Sequence, residues 1–261
     1  MKLGVCIDWR NHAALRAAKN AGAEYAELVL NSFEHADPKE VAEGKAFLKE
    51  LGLPVLSFNG MFPWSGLRVT GKEVNPAQID AYLEDVLTAT DVFDAPYVVF
   101  GSSGARHIEE GDTIGGAQSA LLRLFRHHII PAFEKHDRIC LIEPLTEDNL
   151  VHTVADGEMY VRILNHPRVR VLADFYHPSL LGEDMQEYVG FGRDILHCHI
   201  ASPSCGRHVP LPGDGDAEIY RAAFAILRKI GYRGGVSLEG GYGPDMAGEM
   251  KDSLAYLRSL L

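Results

Sequence analysis

Four short segments each deliver a potential metal ligand to the end of a strand-like run: Ile139-Cys140-Leu141-Ile142-Glu143, Val171-Leu172-Ala173-Asp174, His197-Cys198-His199 and Gly235-Val236-Ser237-Leu238-Glu239. In each, an apolar stretch leads into a carboxylate or imidazole and then into a polar turn. A structural charge is the ordinary explanation for any single residue of this kind. Four on neighbouring strands, with compatible chemistry, point instead to a shared ion. Glu143, Asp174, His199 and Glu239 make an oxygen-rich set with one imidazole nitrogen. Such a set suits one hard or borderline divalent cation such as Mn²⁺. A cation chelated by a ketone oxygen and the neighbouring hydroxyl acts as a Lewis acid and stabilises an enediolate. Glu143 and Glu239, from strands five and eight, are then placed to act as catalytic bases from opposite faces. Proton removal by one and return by the other inverts a carbon, whereas return to the adjacent carbon isomerises the sugar.

These residues meet only if the chain brings strand ends to one rim. Strand-like and helix-like patterns alternate throughout: Leu3–Asp8 then His12–Ala21, Tyr25–Leu30 then Pro38–Leu51, Pro54–Asn59 then Pro76–Phe93, Tyr97–Gly101 then Thr113–His136. Ile139–Glu143 is followed by Val154–Asn165, Val169–Asp174 by a short helix at Asp184–Val189, Ile195–Ala201 by Ala217–Ile230, and Gly235–Glu239 by Ala247–Leu260. Eight such units predict an α/β fold, a closed (β/α)₈ TIM barrel formed as one domain over residues 1–261, rather than an open doubly wound sheet. Gly22, Gly52 and Gly231 follow helical patterns where a left-handed cap belongs. In such barrels the chemistry sits at the carboxyl ends of the strands, where the four candidate ligands fall.

Composition narrows the class. The chain has 261 residues, 46% of them apolar, enough for one large core. It carries 25 basic and 36 acidic residues, a net charge of −11, which argues against a nucleic-acid partner. A small-molecule substrate is expected. The N-terminus reads as a strand rather than a signal sequence, and no apolar run approaches the ~20 residues of a membrane helix, so a cytoplasmic protein with no membrane partner is expected. Cys6, Cys140 and Cys198 lie in apolar runs and Cys205 in a loop, with no Cys-x-x-Cys pair for a thiolate zinc site. A homo-oligomer is compatible with these patterns, which name no face for it.

Other residues near the rim have looser readings. His197 shares the strand parity of His199 one layer deeper and is expected to be a hydrogen-bonded core histidine. His177 lies three residues beyond Asp174, in reach of a substrate. Arg207, in the loop after strand seven, is able to donate several hydrogen bonds to a hydroxyl or carboxylate. Trp9, Phe58, Phe62 and Trp64 are candidates for pocket walls, with ordinary packing equally open. Arg106 and the Gly101–Gly104 turn offer a weak phosphate-binding pattern. None of the nine lysines falls at the carboxyl end of a strand, which disfavours a hydride-shift isomerase that uses one.

The same segments resemble the sugar isomerase/epimerase family with a xylose isomerase-like barrel, particularly its hydroxypyruvate isomerase and ketose 3-epimerase branch. The similarity rests on Ile142-Glu143-Pro144-Leu145, Asp174-Phe175-Tyr176-His177, His197-Cys198-His199-Ile200-Ala201, Gly206-Arg207-His208 with Pro212-Gly213-Asp214-Gly215, Val236-Ser237-Leu238-Glu239, and the Phe100–Arg106 loop leading to Glu110-Gly111. It implies a sugar isomerase or epimerase in which Glu143, Asp174, His199 and Glu239 bind one divalent metal, commonly Mn²⁺, Mg²⁺ or Co²⁺ and with Zn²⁺ also open, while His177 and Arg207 contact the substrate. Two departures bear on substrate identity: Ser202 stands where the family often has an acidic residue, and Thr146-Glu147-Asp148-Asn149 lacks an Asn-Arg pair found in several 3-epimerases. A dehydratase of the inosose or dehydroshikimate type is the nearest alternative, since the same enolate leads to β-elimination. A non-catalytic sugar-binding barrel would not need two carboxylates placed as bases. A DNA-repair enzyme of the related endonuclease IV group would need further histidines after strands three and four, where this chain has Phe58-Asn59-Gly60-Met61 and Phe100-Gly101-Ser102-Ser103.

Overall fold

Eight parallel strands close on themselves in sequence order in the computed structural model, which describes residues 1–63 and 66–261. They are β1 (Lys2–Ile7), β2 (Tyr25–Val29), β3 (Val55–Asn59), β4 (Tyr97–Phe100), β5 (Ile139–Ile142), β6 (Val169–Asp174), β7 (Ile195–Ile200) and β8 (Gly235–Leu238). β8 pairs with β1, so no edge is left. Helices cover the outside, and the main core lies between them and the barrel. A separate small cluster, Val99, Leu141 and Leu172, fills the barrel interior. The expected (β/α)₈ class is the observed one. Among the described residues, no helix is long and apolar enough to cross a membrane.

Helix boundaries follow local chemistry. Asp37, Asn75 and Thr153 accept N–H groups at the starts of the helices Pro38–Leu51, Pro76–Thr90 and Val154–Leu164, the usual use of such side chains. Gly52 closes the first of these in the left-handed region at φ 60°. Two expectations are corrected. The single helix over Thr113–His136 is broken by a π-helical turn at Phe125–Ile129 between Ile114–Leu124 and Ile130–Lys135. Pro131 explains it, because proline lacks an N–H and clashes with the carbonyl four residues back. The helix expected at Asp184–Val189 is instead two short pieces, His177–Leu181 and Glu187–Gly190.

Register decides which residues reach the rim. Between Val171 and Leu172 the β6–β7 ladder slips opposite Ile195–His197, so Leu172 faces His197 and Asp174 faces His199. That bulge places the carboxylate and the imidazole side by side on neighbouring strands. Inside the barrel the Tyr25 ring occupies space left by two glycines; a Cβ on Gly4 would lie 2.3 Å from that ring and one on Gly235 would lie 2.6 Å from its hydroxyl.

The loops after β4 and β5 are tied together from below. Arg106, fully buried, pairs with the buried Asp148 and donates to the carbonyls of Phe100 and Glu143. Asp148 also accepts the N–H groups of Leu150 and Val151, and Asn149 exchanges two hydrogen bonds with the Ile108 backbone. Arg106 is therefore spent on structure: each of its three guanidinium nitrogens donates to a protein oxygen and the side chain is fully buried, away from any phosphate. Phe58 and Trp9 also leave the pocket-wall list. Both are buried against Phe33, with Trp9 stacked on it at 4.8 Å and Phe58 edge-on at 6.0 Å. Trp64 lies outside the described residues.

Two stability tests follow from this packing. Asp148→Ala would leave the Arg106 charge buried and unpaired, with an expected loss of about 3–5 kcal/mol. Gly4→Ala would push Tyr25 off its seat, with an expected loss of about 1–3 kcal/mol from overpacking. Urea denaturation of each variant beside the parent measures both, and an unchanged midpoint would refute the corresponding account.

Candidate active site

At the carboxyl ends of β5 to β8 the structure brings Glu143, Asp174, His199 and Glu239 together. One ligand-type atom from each lies within 4.8 Å of the others. His199 Nδ1 is 2.9 Å from Glu143 Oε1 and 3.2 Å from Glu239 Oε2. Asp174 Oδ1 accepts the N–H groups of Tyr176 and His177, while its Oδ2 accepts no hydrogen bond among the described residues. Gly101 makes room for this cluster, since a Cβ there would sit 2.2 Å from Glu143 Oε2. The glycine that suggested a phosphate turn in the sequence thus serves the carboxylate of the next strand.

The electrostatics are those of too many anions for the cations present. Burial pushes the Glu143 carboxyl up, and the charge of Glu239 adds to the effect. Burial would also raise Glu239, but His199 and Arg207 beside it prevail and hold it at about 2. Burial disfavours a charged His199, yet Glu239, Glu27 and Glu143 together raise its pKa well above the usual histidine value. Three carboxylates around one imidazole, mostly withdrawn from water, form a donor set that fits one divalent cation of hard or borderline character.

His177 opens the short helix after β6 and is fully buried. Its Nδ1 accepts from the Thr146 backbone N–H at 3.2 Å and lies 2.9 Å from the Thr146 hydroxyl. The ring proton therefore belongs on Nε2, which has no partner among the described residues. Arg207 donates to Glu239 Oε2 at 2.5 Å and lies over the Tyr176 ring at 5.7 Å. Its backbone is in the left-handed region at φ 64°, which a non-glycine residue keeps only where its surroundings impose it. Those surroundings are visible: Arg207 N–H donates to Ser202 O, and Arg207 O accepts from Gly241 N–H. Ser202 in turn donates to Asp216 Oδ2 at 2.5 Å, and Asp216 also holds both the N–H and hydroxyl of Ser204. Asp216 thus brings a buried carboxylate to this loop beside Ser202.

The cluster opens into a cavity of about 220 Å³. Asn31, Asn59, Phe62 and Glu147 line it beside Glu143, Glu239 and Arg207. Phe62 is the described aromatic candidate that does reach this wall. Asn59 escaped the sequence reading; its Nδ2 is 3.5 Å from Glu239 Oε1 and its Oδ1 is buried without a partner among the described residues. Glu27 escaped it too. It lies on β2, fully buried, 2.9 Å from His199 Nε2 and 2.6 Å from His197 Nε2. Its signal was a lone carboxylate inside the apolar run Tyr25-Ala26-Glu27-Leu28-Val29, two residues from Tyr25 and on the same face. His197 is the buried, hydrogen-bonded histidine that its parity suggested.

Comparison with known proteins agrees with this architecture. A curated relative, 3-dehydro-D-guloside 4-epimerase of Escherichia coli (strain K12), is 29% identical over 247 residues, covering 89% of this chain and 87% of that protein. The apo crystal structure of an E. coli 3-keto-D-glucoside 4-epimerase superimposes with a TM-score of 0.81 at 22% identity, covering 99% of both chains. D-Psicose 3-epimerase from Clostridium cellulolyticum H10, solved with D-tagatose, gives a TM-score of 0.83 at 18% identity, over 100% of this chain and 99% of that one. Residues 15–260 match the family described as xylose isomerase-like TIM barrel, and the chain belongs to that family.

Proposed function

We propose that this chain is a divalent-metal-dependent sugar epimerase acting on an uncharged ketose or keto-sugar by proton transfer. The observation that carries the reading is the meeting of Glu143, Asp174, His199 and Glu239 at one end of a cavity sized for a small molecule. The epimerase activity of the relatives named above supports it.

The four clustered residues would hold the metal, Mn²⁺ by preference. When bound, the cation would act as a Lewis acid, offsetting negative charge on a substrate oxygen as the adjacent carbon loses its proton. Glu143 and Glu239 rise from β5 and β8, three strands apart on the rim, and so approach the substrate from different sides. One carboxylate takes the proton from the carbon next to the carbonyl, and the other returns a proton to the opposite face, inverting the centre. Arg207 supplies donors for substrate oxygens, and the two amides of Asn31 and Asn59 suit hydroxyl groups. His177 is buried and does not line the cavity; its unpartnered Nε2–H would be a further donor only to a substrate that reaches it. Among the described lining residues Arg207 is the only cation, and Glu239 already engages it. With Glu147 also on the wall, the cavity favours a neutral sugar over a phosphorylated one.

The decisive experiment is turnover of unphosphorylated ketoses with added Mn²⁺ in D₂O. Deuterium is expected at the inverted carbon, and Glu143→Gln and Glu239→Gln should each lower kcat by at least ~100-fold. Full retention of substrate hydrogen with both variants active would refute proton transfer, and water loss in place of rearrangement would identify a dehydratase. His199→Ala should lose its metal; stoichiometric metal retained in that variant would remove the ligand assignment. Arg207→Ala should keep its metal while kcat/KM falls about 10- to 100-fold, the size of one or two charge-assisted hydrogen bonds. Metal loss in the Arg207 variant would instead place that side chain among the groups holding the ion.

A further inference from the structure

Beneath the four clustered side chains lies a layer of buried polar groups to which the proposed chemistry gives no role. Glu27 is at its centre and is fully buried. A carboxylate in such a place is tolerated only when its oxygens are satisfied by donors. Glu27 Oε1 is 2.9 Å from His199 Nε2, and Oε2 is 2.6 Å from both His197 Nε2 and Ser237 Oγ. Tyr25 Oη lies 2.9 Å from Ser237 Oγ, which completes a chain of groups from β2, β7 and β8.

The direction of these hydrogen bonds is set by what each partner has to give. An ionised carboxylate only accepts, so His197, His199 and Ser237 must all donate to it, and the Ser237 oxygen accepts a hydrogen bond from the Tyr25 hydroxyl in return. For His197 this is consistent with its Nδ1, which is buried without a partner and is best left unprotonated. For His199 it means that one ring proton sits on Nε2. With a cation taking the place of the Nδ1 proton the ring is neutral, and its lone pair is on Nδ1, the atom that without metal lies against Glu143 and Glu239. A metal takes a neutral imidazole nitrogen, and the group bonded to the other nitrogen selects which one is offered.

From this geometry we infer that Glu27 is a positioning residue: it holds His199 in the Nε2–H tautomer and fixes its ring plane, so that Nδ1 is presented to the cation. The inference rests on the metal-site reading above and assigns a function to a residue outside the four ligands. Ser237 and His197 act through it, since each satisfies the Oε2 side and leaves Oε1 to His199 alone.

Glu27→Gln tests it with almost no change of shape. The glutamine oxygen will face the side with two donors, His197 and Ser237, which turns its NH₂ toward His199. His199 must then accept at Nε2 and carry its proton on Nδ1, opposed to a metal. Calorimetric titration with Mn²⁺ alone should show affinity weakened about 10- to 100-fold, the range for loss of a partner to a metal-bound histidine, in a variant whose circular dichroism matches the parent. ¹⁵N-histidine NMR of the parent loaded with diamagnetic Mg²⁺ should show a proton on Nε2 of His199 and none on Nδ1. That second measurement needs no variant and stands even if Glu27→Gln fails to fold. Parental Mn²⁺ affinity in folded Glu27→Gln, or a parent spectrum with the proton on Nδ1, overturns the role of Glu27 while leaving the metal site intact. A parent that takes up no Mn²⁺ overturns both.

Discussion

Mutual repulsion among Glu143, Asp174 and Glu239 is the constraint on which the rest of the site depends. At separations under 5 Å and an effective dielectric constant near 20, each pair of charges repels by roughly 3–4 kcal/mol. A chain keeps such an arrangement only when other parts of the fold offset it. The offsets are all present: backbone N–H groups on Asp174, the His199 ring between Glu143 and Glu239, and Arg207 on Glu239. They remain too few for three carboxylates, which is the physical basis for proposing a divalent cation at the centre.

Each offsetting group is itself held in place by something distant in the chain. Glu143 stands on a strand end whose carbonyl is gripped by Arg106, and Arg106 is kept buried only because Asp148 neutralises it. Arg207 is held in an uncommon backbone conformation by a loop fastened through Ser202 and Asp216 on one side and Gly241 on the other. His199 is oriented from beneath by Glu27. The clustered charges are thus each held by hydrogen bonds, as preorganised electrostatics requires, while the amides, Phe62 and Glu147 line the cavity beside them.

The same cavity separates the competing chemistries. Among the described residues, no histidine lines it at the ends of β3 and β4, where Asn59 and Gly101 stand instead, and the chain carries a net charge of −11. A phosphodiester partner would meet glutamates where it needs cations. A hydroxylated neutral molecule would meet two amides and one arginine. This is why the neutral keto-sugar reading is preferred over one built on phosphate.

The sequence by itself determined the alternation of eight strands and helices and, through the two-residue period of a strand, the arrival of Glu143, Asp174, His199 and Glu239 at one rim. Both are local properties, written in hydrophobic period and in the polar turn that ends each strand. Only the tertiary structure decided which side chains lie between distant strands. Glu27 is an isolated carboxylate until barrel closure sets β7 and β8 beside it. Arg106 reads as a loop cation until Asp148 arrives from the next loop to bury it. Phe58 turned outward because its neighbours Ser57 and Asn59 take the inner face, and Trp9 found Phe33 across the outer shell. The bulge opposite Leu196, which aligns His199 with Asp174, has no local mark in either strand. Pairings of this kind depend on register and closure, and those belong to the assembled barrel rather than to any one segment.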